Sequence, residues 1–263
     1  MPAFDLGGRV RKFLPLLLLS VPAWGDDGRG LQIAQEAARR EDSFGQFTAD
    51  LQMILKDPRG RTSARRMRLK VLETPGDGDK TLVLFDEPRD VQGTAFLNYT
   101  HKAGHDDQWL YLPALKRVKR IASDNKSGPF MGSEFAYEDI GSQEVEKYTY
   151  NYLRDEQLDE HDCFVIERIP LDTKSGYSKQ HVWIDKAEFR FMQIHYFDRK
   201  DERLKELKIA EFRRYQDKYW KPGVMLMSNL QSGKATVLTW DNYRFDTTIA
   251  QSDFHSAALD RVR

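Results

Sequence analysis

WLYLPALKRVKRIASDNKSGPFMGSEFAYEDI, residues 109–140, opens as a strand: Trp109 and Tyr111 alternate with Leu110 and Leu112 until Pro113 ends the run. The turn at Ala114 and Leu115 feeds a second, basic strand from Arg117 to Ile121, so the first half predicts a β-hairpin. The second half is punctuated by Gly128, Pro129 and Gly132, yet it carries Phe130, Met131 and Phe135. Large apolar side chains on a segment too irregular to be a strand need a surface to cover, which predicts a flap.

Outward from this hairpin the chain keeps a period of two. Phe47, Ala49, Leu51, Met53 and Leu55 share one face, DPRG (57–60) turns, and Arg65, Met67, Leu69 and Val71 alternate in a partner strand. PGDGD (75–79) is the strongest turn signal, and TLVLF (81–85) and TAFLNY (94–99) follow as short strands. Beyond the flap come KYTYNYL (147–153), CFVIERI (163–169), KQHVWID (179–185), FRFMQIHYF (189–197), LKELKIAEF (204–212), VMLMSNL (224–230) and ATVLTWDNYRF (235–245). Regular short strands with turns between them predict one antiparallel sheet of about 10–11 strands that curls or closes. Two helical pieces frame it. GLQIAQEAARREDS (30–43) places Leu31, Ala34 and Ala38 on one helix face, and from Gln251 a short final helix points Phe254 and Leu259 back at the sheet.

The ends and the charge narrow the setting. Arg9, Arg11 and Lys12 precede an apolar run from Phe13 to Trp24 and a small-residue exit at Ala23 to Gly25, the pattern of a Sec signal peptide spanning residues 1–25. The run is too short to span a membrane and contains Pro15 and Pro22. With no cysteine at its exit, the expected product is a soluble periplasmic domain, residues 26–263, that does not cross the membrane after cleavage. The sole cysteine, Cys163, lies in a strand and reads as a small buried hydrophobe. Basic and acidic residues balance at 41 each, so the chain has no footprint for nucleic acid.

Taken together, YLPALKRVKRI (111–121) and FMGSEFAYEDI (130–140), in that order, resemble the signature of the LolA-like outer-membrane lipoprotein-sorting family, in its treponemal uncharacterised-protein-domain branch. The likeness extends over roughly residues 29 to 260, with the N-terminal helix and SDFHSAAL (252–259) as weaker supports. It implies an incomplete antiparallel β-barrel, LolA/LolB-like, with an N-terminal helix and a helical or loop lid. It further implies a carrier that holds acyl chains of a lipoprotein or lipid without a cofactor, and a handover partner in the inner membrane such as an RND/MMPL-type exporter. The chain is longer than the lipoprotein carrier itself and matches the branch motifs better than the carrier's own.

The residues agree in one respect. Many strands place flexible apolar groups on a single face, and a sheet this wide offers more apolar surface than two short helices cover. The expected cavity and lid residues are Leu51, Met53, Leu55, Met67, Leu69, Trp109, Tyr111, Phe130, Met131, Phe135, Phe191, Met225 and Phe254. Gly128, Gly132 and Gly141 supply a permissive backbone for a moving flap. Against this stand the readings of a filled core under a rigid capping loop, of a structural envelope protein, and of a lipid hydrolase using the same cleft.

No catalytic or metal-binding set assembles. His101 and His105 with Asp106 and Asp107 lack a third histidine, Gly233-Lys234 lacks the rest of a phosphate loop, and no G-x-S-x-G elbow occurs. Asp139, beside Glu138 and Glu134, reads as a loop-fixing carboxylate that accepts backbone N–H groups. The basic runs Lys116, Arg117, Lys119, Arg120 and Arg61, Arg65, Arg66, Arg68 read as solvated strand faces.

Overall fold

The computed structural model describes residues 28–245 and 247–261, so the expected signal peptide and its cleavage point lie outside the described residues. One helix, α1 (Arg29–Glu41), is followed by fifteen strands. These are β1 (Gln46–Lys56), β2 (Thr62–Leu72), β3 (Lys80–Glu87), β4 (Ala95–Tyr99), β5 (Asp107–Leu112) and β6 (Arg117–Ile121) before the flap. After it come β7 (Tyr148–Leu158), β8 (His161–Pro170), β9 (Lys179–Asp185), β10 (Phe191–Phe197), β11 (Arg203–Ala210), β12 (Arg213–Tyr215), β13 (Tyr219–Lys221), β14 (Val224–Asn229) and β15 (Ala235–Arg244).

Thirteen of the strands form one antiparallel sheet in the order β6-β5-β4-β3-β2-β1-β15-β14-β11-β10-β9-β8-β7, and β12 pairs only with β13. The sheet is not closed: β6 and β7 are its two edges, and residues 122–147 run between them. An open, lidded antiparallel sheet is the expected class, but the expectation of about 10–11 strands is low. The segments read as strands in the sequence match the thirteen of the sheet, and the two it did not announce are β12 and β13, of three residues each, too short to show an alternation.

Alternation sorts the strands onto two faces. Phe47, Ala49, Leu51 and Met53 of β1 join Met67, Leu69 and Val71 of β2 in the main core. Register confirms the shared face, with Leu51 opposite Met67 and Ala49 opposite Leu69. β3 and β4 are apolar on both sides: Val83, Phe85 and Phe96 face the main core, while Leu82, Leu84, Ala95 and Leu97 form a second cluster on the other face.

Two local expectations are corrected. The buried side of α1 is Gly30, Ile33, Ala34 and Ala37, whereas Leu31 is exposed. The reason is close approach. A Cβ on Gly30 would come within 2.7 Å of the Asn151 carbonyl carbon in β7, so the helix seats its smallest residues there and turns Leu31 outward. The final helix is two short 3-10 turns, Gln251–Phe254 and Ser256–Ala258, although Phe254 and Leu259 do point back and bury against β3 and β4. No helix among the described residues is long and apolar enough to cross a membrane.

Candidate functional site

The flap carries Phe130 and Phe135 onto the main apolar face. Its path is set by short turns at Ser123–Asn125, Phe130–Gly132, Tyr137–Asp139 and Val145–Lys147, with an isolated bridge between Pro129 and Ala136. Phe130 is 1% exposed, and its ring centroid lies 5.1 Å from Phe96, 5.5 Å from Tyr137 and 6.0 Å from Phe85. Met131 takes φ 49° and Gly132 φ 76°, two left-handed residues in succession. That bend turns the Met131 carbonyl toward Arg65, whose guanidinium donates to it. Burial there holds the guanidinium below its ordinary range.

Side-chain anchors hold the flap at three places. On one side the Glu134 N–H donates to the Thr236 hydroxyl at 2.9 Å, and Asn229 Nδ2 donates to the Glu134 carboxylate at 2.7 Å. In the middle, Gln108 Nε2 donates to the Tyr137 carbonyl and to Asn98 Oδ1, both at 3.0 Å. On the far side Glu138 accepts from the Ser175 hydroxyl and the Gly176 N–H, each at 2.8 Å. Asp139 accepts from the Ala136 N–H at 2.7 Å, the loop-fixing bond expected of it, and from the Tyr177 hydroxyl at 2.9 Å. Lys205 Nζ donates to that hydroxyl at 3.1 Å and stands 4.0 Å from Asp139. Burial raises both carboxyls above their ordinary values; Lys205 opposes the rise at Asp139, whereas the Asp139 charge adds to it at Glu138.

The expected cavity residues divide between the two faces. Leu51, Met53, Met67, Leu69, Phe130 and Phe135 are buried in the main core, and Leu55, Met131, Phe191 and Met225 pack half-buried against it. Register joins Met53 to Leu238 and Leu238 to Met225, so these side chains line one continuous wall. Trp109, Tyr111 and Phe254 lie on the opposite face, in the second cluster. In β5 the inward residue is Leu110, because Leu110 stands opposite Phe96 and Trp109 opposite Leu97.

Some wall residues were not anticipated. Phe85 and Phe96 come from runs that are apolar on both faces, where alternation cannot assign a side. Trp240 follows Leu238 at a spacing of two and stands opposite Leu51, and that alternation was the available signal. Its indole N–H and that of Trp220 are buried without a hydrogen-bond partner among the described residues. Such an orphan donor costs about 1–3 kcal/mol.

A cavity of ≈530 Å³ opens at the seam between the two edges of the sheet, and its lining mixes charged and polar side chains with apolar ones such as Ile121 and Leu171. His105 and Lys126 reach Asp172 there, at 3.0 and 2.5 Å, and Lys147 pairs with Asp106. The first two pairs tie the β4–β5 loop and the flap to the β8–β9 loop, and the third ties the flap to the β4–β5 loop, across the gap left by the missing strand pairing. No group of three or more His, Cys, Asp or Glu that could hold a metal occurs among the described residues.

Comparison with known proteins follows the same architecture. A family model whose description reads "Uncharacterized protein" matches residues 77–261. A domain from Vibrio parahaemolyticus, named for outer membrane lipoprotein sorting, is 55% identical, with a TM-score of 0.87 over 89% of this chain and 99% of that one. A DUF1329 family protein from Desulfovibrio piger is 28% identical, with a TM-score of 0.84 over 89% of this chain and 99% of that one. A LolA superfamily protein from Nitrosomonas europaea shares the fold at 20% identity and a TM-score of 0.69, over 86% of this chain and 97% of that one. None of the curated proteins matches.

Proposed function

The chain belongs to the LolA-like outer-membrane lipoprotein-sorting family, and from that membership we propose a periplasmic carrier whose main apolar face holds acyl chains of a lipoprotein or lipid when the flap lifts. The observation that carries the reading is the manner in which Phe130 and Phe135 are held. Both rings fill the face, yet the Pro129–Ala136 bridge only folds their segment on itself, and among the described residues side-chain hydrogen bonds rather than strand pairing fasten it to the sheet. The neutral bonds contribute about 0.5–1.5 kcal/mol net and those to a carboxylate about 1.5–3 kcal/mol, because water replaces them on opening. The apolar wall exposed by the lifted rings has no such substitute in water, but a hydrocarbon chain supplies one at about 0.8 kcal/mol per buried methylene. Occupied and empty forms therefore exchange one apolar filling for another.

In this reading Leu51, Met53, Leu55, Met67, Leu69, Phe191 and Met225 form the wall, with Phe130, Met131 and Phe135 as the lid. The Trp240 indole N–H supplies a donor for a carbonyl oxygen of the guest. Loading and release need no catalytic step, and the resemblance supplies an inner-membrane transporter of the RND/MMPL type as the handover partner.

Mass spectrometry of the protein purified after export, together with titration of a fluorescent fatty acid, tests the proposal. Intact co-purified lipid and saturable probe binding are expected. Absence of both would make the flap a permanent cap and the domain a static envelope component.

A further inference from the structure

The two edges of the sheet are treated differently by the fold. At one, α1 lies against β7, where Gly30 makes its close approach to Asn151. At the other, β6 is bare. Every side chain from Lys116 to Arg120 is exposed. The β6 backbone pairs with β5 on one side, and on the other it meets no hydrogen-bond partner among the described residues. An edge strand left in this state is a template for a further strand.

Its charge is one-sided. No acidic residue occurs between Asp107 and Asp124, while Lys116, Arg117, Lys119 and Arg120 follow one another closely along the edge. Arg120 pairs with Asp107, and the other three form no ion pair among the described residues. Register sorts these side chains by face. Arg117 and Lys119 stand opposite Leu112 and Leu110, on the inner side, and Val118 stands opposite Tyr111, on the outer. Leu84, Ala95, Tyr111 and Val118 thus form one row across β3, β4, β5 and β6, which ends at the edge with Val118 38% exposed.

We propose that β6 is a docking edge for an extended acidic segment of a partner protein, which adds to the sheet as one further strand. Backbone hydrogen bonds to β6 hold it, carboxylates on alternate residues meet Arg117 and Lys119, and an apolar residue between them continues the row past Val118. A second copy of this chain does not fit the edge. Antiparallel pairing of β6 with itself about Lys119 sets lysine against lysine, and like charges directly opposite are destabilising. The docking does not depend on what the inner face of the sheet carries, so failure of the acyl-chain reading would leave it standing.

The test uses the protein purified after export and a fluorescein-labelled, end-blocked peptide of repeated Glu-Val, titrated by anisotropy at low salt. Saturable binding is expected, weakened by salt, with amide exchange at 117–121 slowed and that of the interior strand β2 unchanged. Arg117→Glu and Lys119→Glu should each lower affinity about tenfold, while Lys200→Glu, in the β10–β11 turn, leaves it unchanged. All three positions are exposed, so folding is retained, and circular dichroism checks it. The same peptide N-methylated along its central residues keeps its charge but loses its backbone donors, and it should not bind. Absence of saturable binding, or binding without slowed exchange at 117–121, overturns the proposal. Equal binding of the N-methylated peptide overturns it as well, since the cations would then attract any polyanion without adding a strand, and equal binding of a Lys-Val peptide would remove the selection by charge.

Discussion

Strands β3 and β4 are covered on both faces by irregular chain, and the two covers are built differently. On the outer face the C-terminal tail seats Ile249, Phe254 and Leu259 on Leu82, Leu84, Ala95 and Leu97. Its polar ties among the described residues are few: the Tyr99 hydroxyl donates to the Phe254 carbonyl, Gln46 Nε2 donates to the Thr247 carbonyl, and Lys70 pairs with Asp253. On the inner face the flap also seats aromatic rings, but carboxylates and amides that it shares with β5, β14, β15 and the β8–β9 loop hold it down. An apolar cover is held by area and has nothing to exchange for water. A cover fastened by polar groups can be released bond by bond, provided the face beneath it finds another apolar partner. In the proposed carrier, this difference assigns the tail to fixed structure and the flap to the gate.

Truncation at the two phenylalanines is the strongest way to break that contrast. Phe254→Ala removes a ring 2% exposed, and denaturant unfolding should show a loss of about 3–5 kcal/mol. Fatty-acid affinity of the folded fraction should stay unchanged. Phe130→Ala removes a ring of equal burial from a segment free to settle into the space, so a smaller loss of ~2–3 kcal/mol is expected. Stopped-flow probe binding should be faster, because less must be lifted. Equal losses with unaltered binding kinetics would show that the flap is core and the contrast false.

The contrast was half legible in the sequence. Alternation identified the inner faces of β1 and β2, where polar residues fill the other side. It failed at β5, where both parities are apolar and each has its own cover, so the larger Trp109 and Tyr111 were expected inward and Leu110 was not. The flap's large residues were legible because Phe130 and Phe135 stand out on a glycine-rich segment. Their anchors were not, since Gln108, Ser175, Gly176, Tyr177 and Lys205 lie 29 or more residues from the flap groups they meet and only the curled sheet brings them to the flap. The helix face was misassigned because packing against β7 favoured the smallest side chains over the most apolar one.

Acidity sharpens the contrast less strongly but in a known direction. Asp79 opens β3, and its N–H donates to the Ser142 hydroxyl where the flap returns, at 3.3 Å. Burial first, and then the Glu144 and Glu73 charges, push its carboxyl up from 3.8 to about 7. The folded protein thus holds a proton that the unfolded chain gives up, and stability falls as pH rises from about 4 through 7. Asp79→Asn should remove about 2 kcal/mol of that fall once partial exposure is allowed for, seen as a flatter plot of melting temperature against pH. Hydrogen exchange, corrected for intrinsic rate, should accelerate above pH 7 at residues 140–144 in the wild type and not at 249–259. Acceleration in the tail as well would mean that Asp79 supports both covers alike.

The smallest effect belongs to the tail's ion pair. Lys70 and Asp253 stand 2.6 Å apart with about a fifth to a quarter of each side chain exposed. A pair so open to solvent contributes roughly 0.5–1 kcal/mol and is screened by salt. Lys70→Ala should therefore lower stability by no more than that, and the difference from wild type should shrink in 1 M sodium chloride. If the tail is held by apolar area, its exchange protection will survive the substitution. Loss of protection throughout 249–259 would instead make the ion pair a latch of the kind assigned to the flap, and the two covers would differ only in which face of the strands they guard.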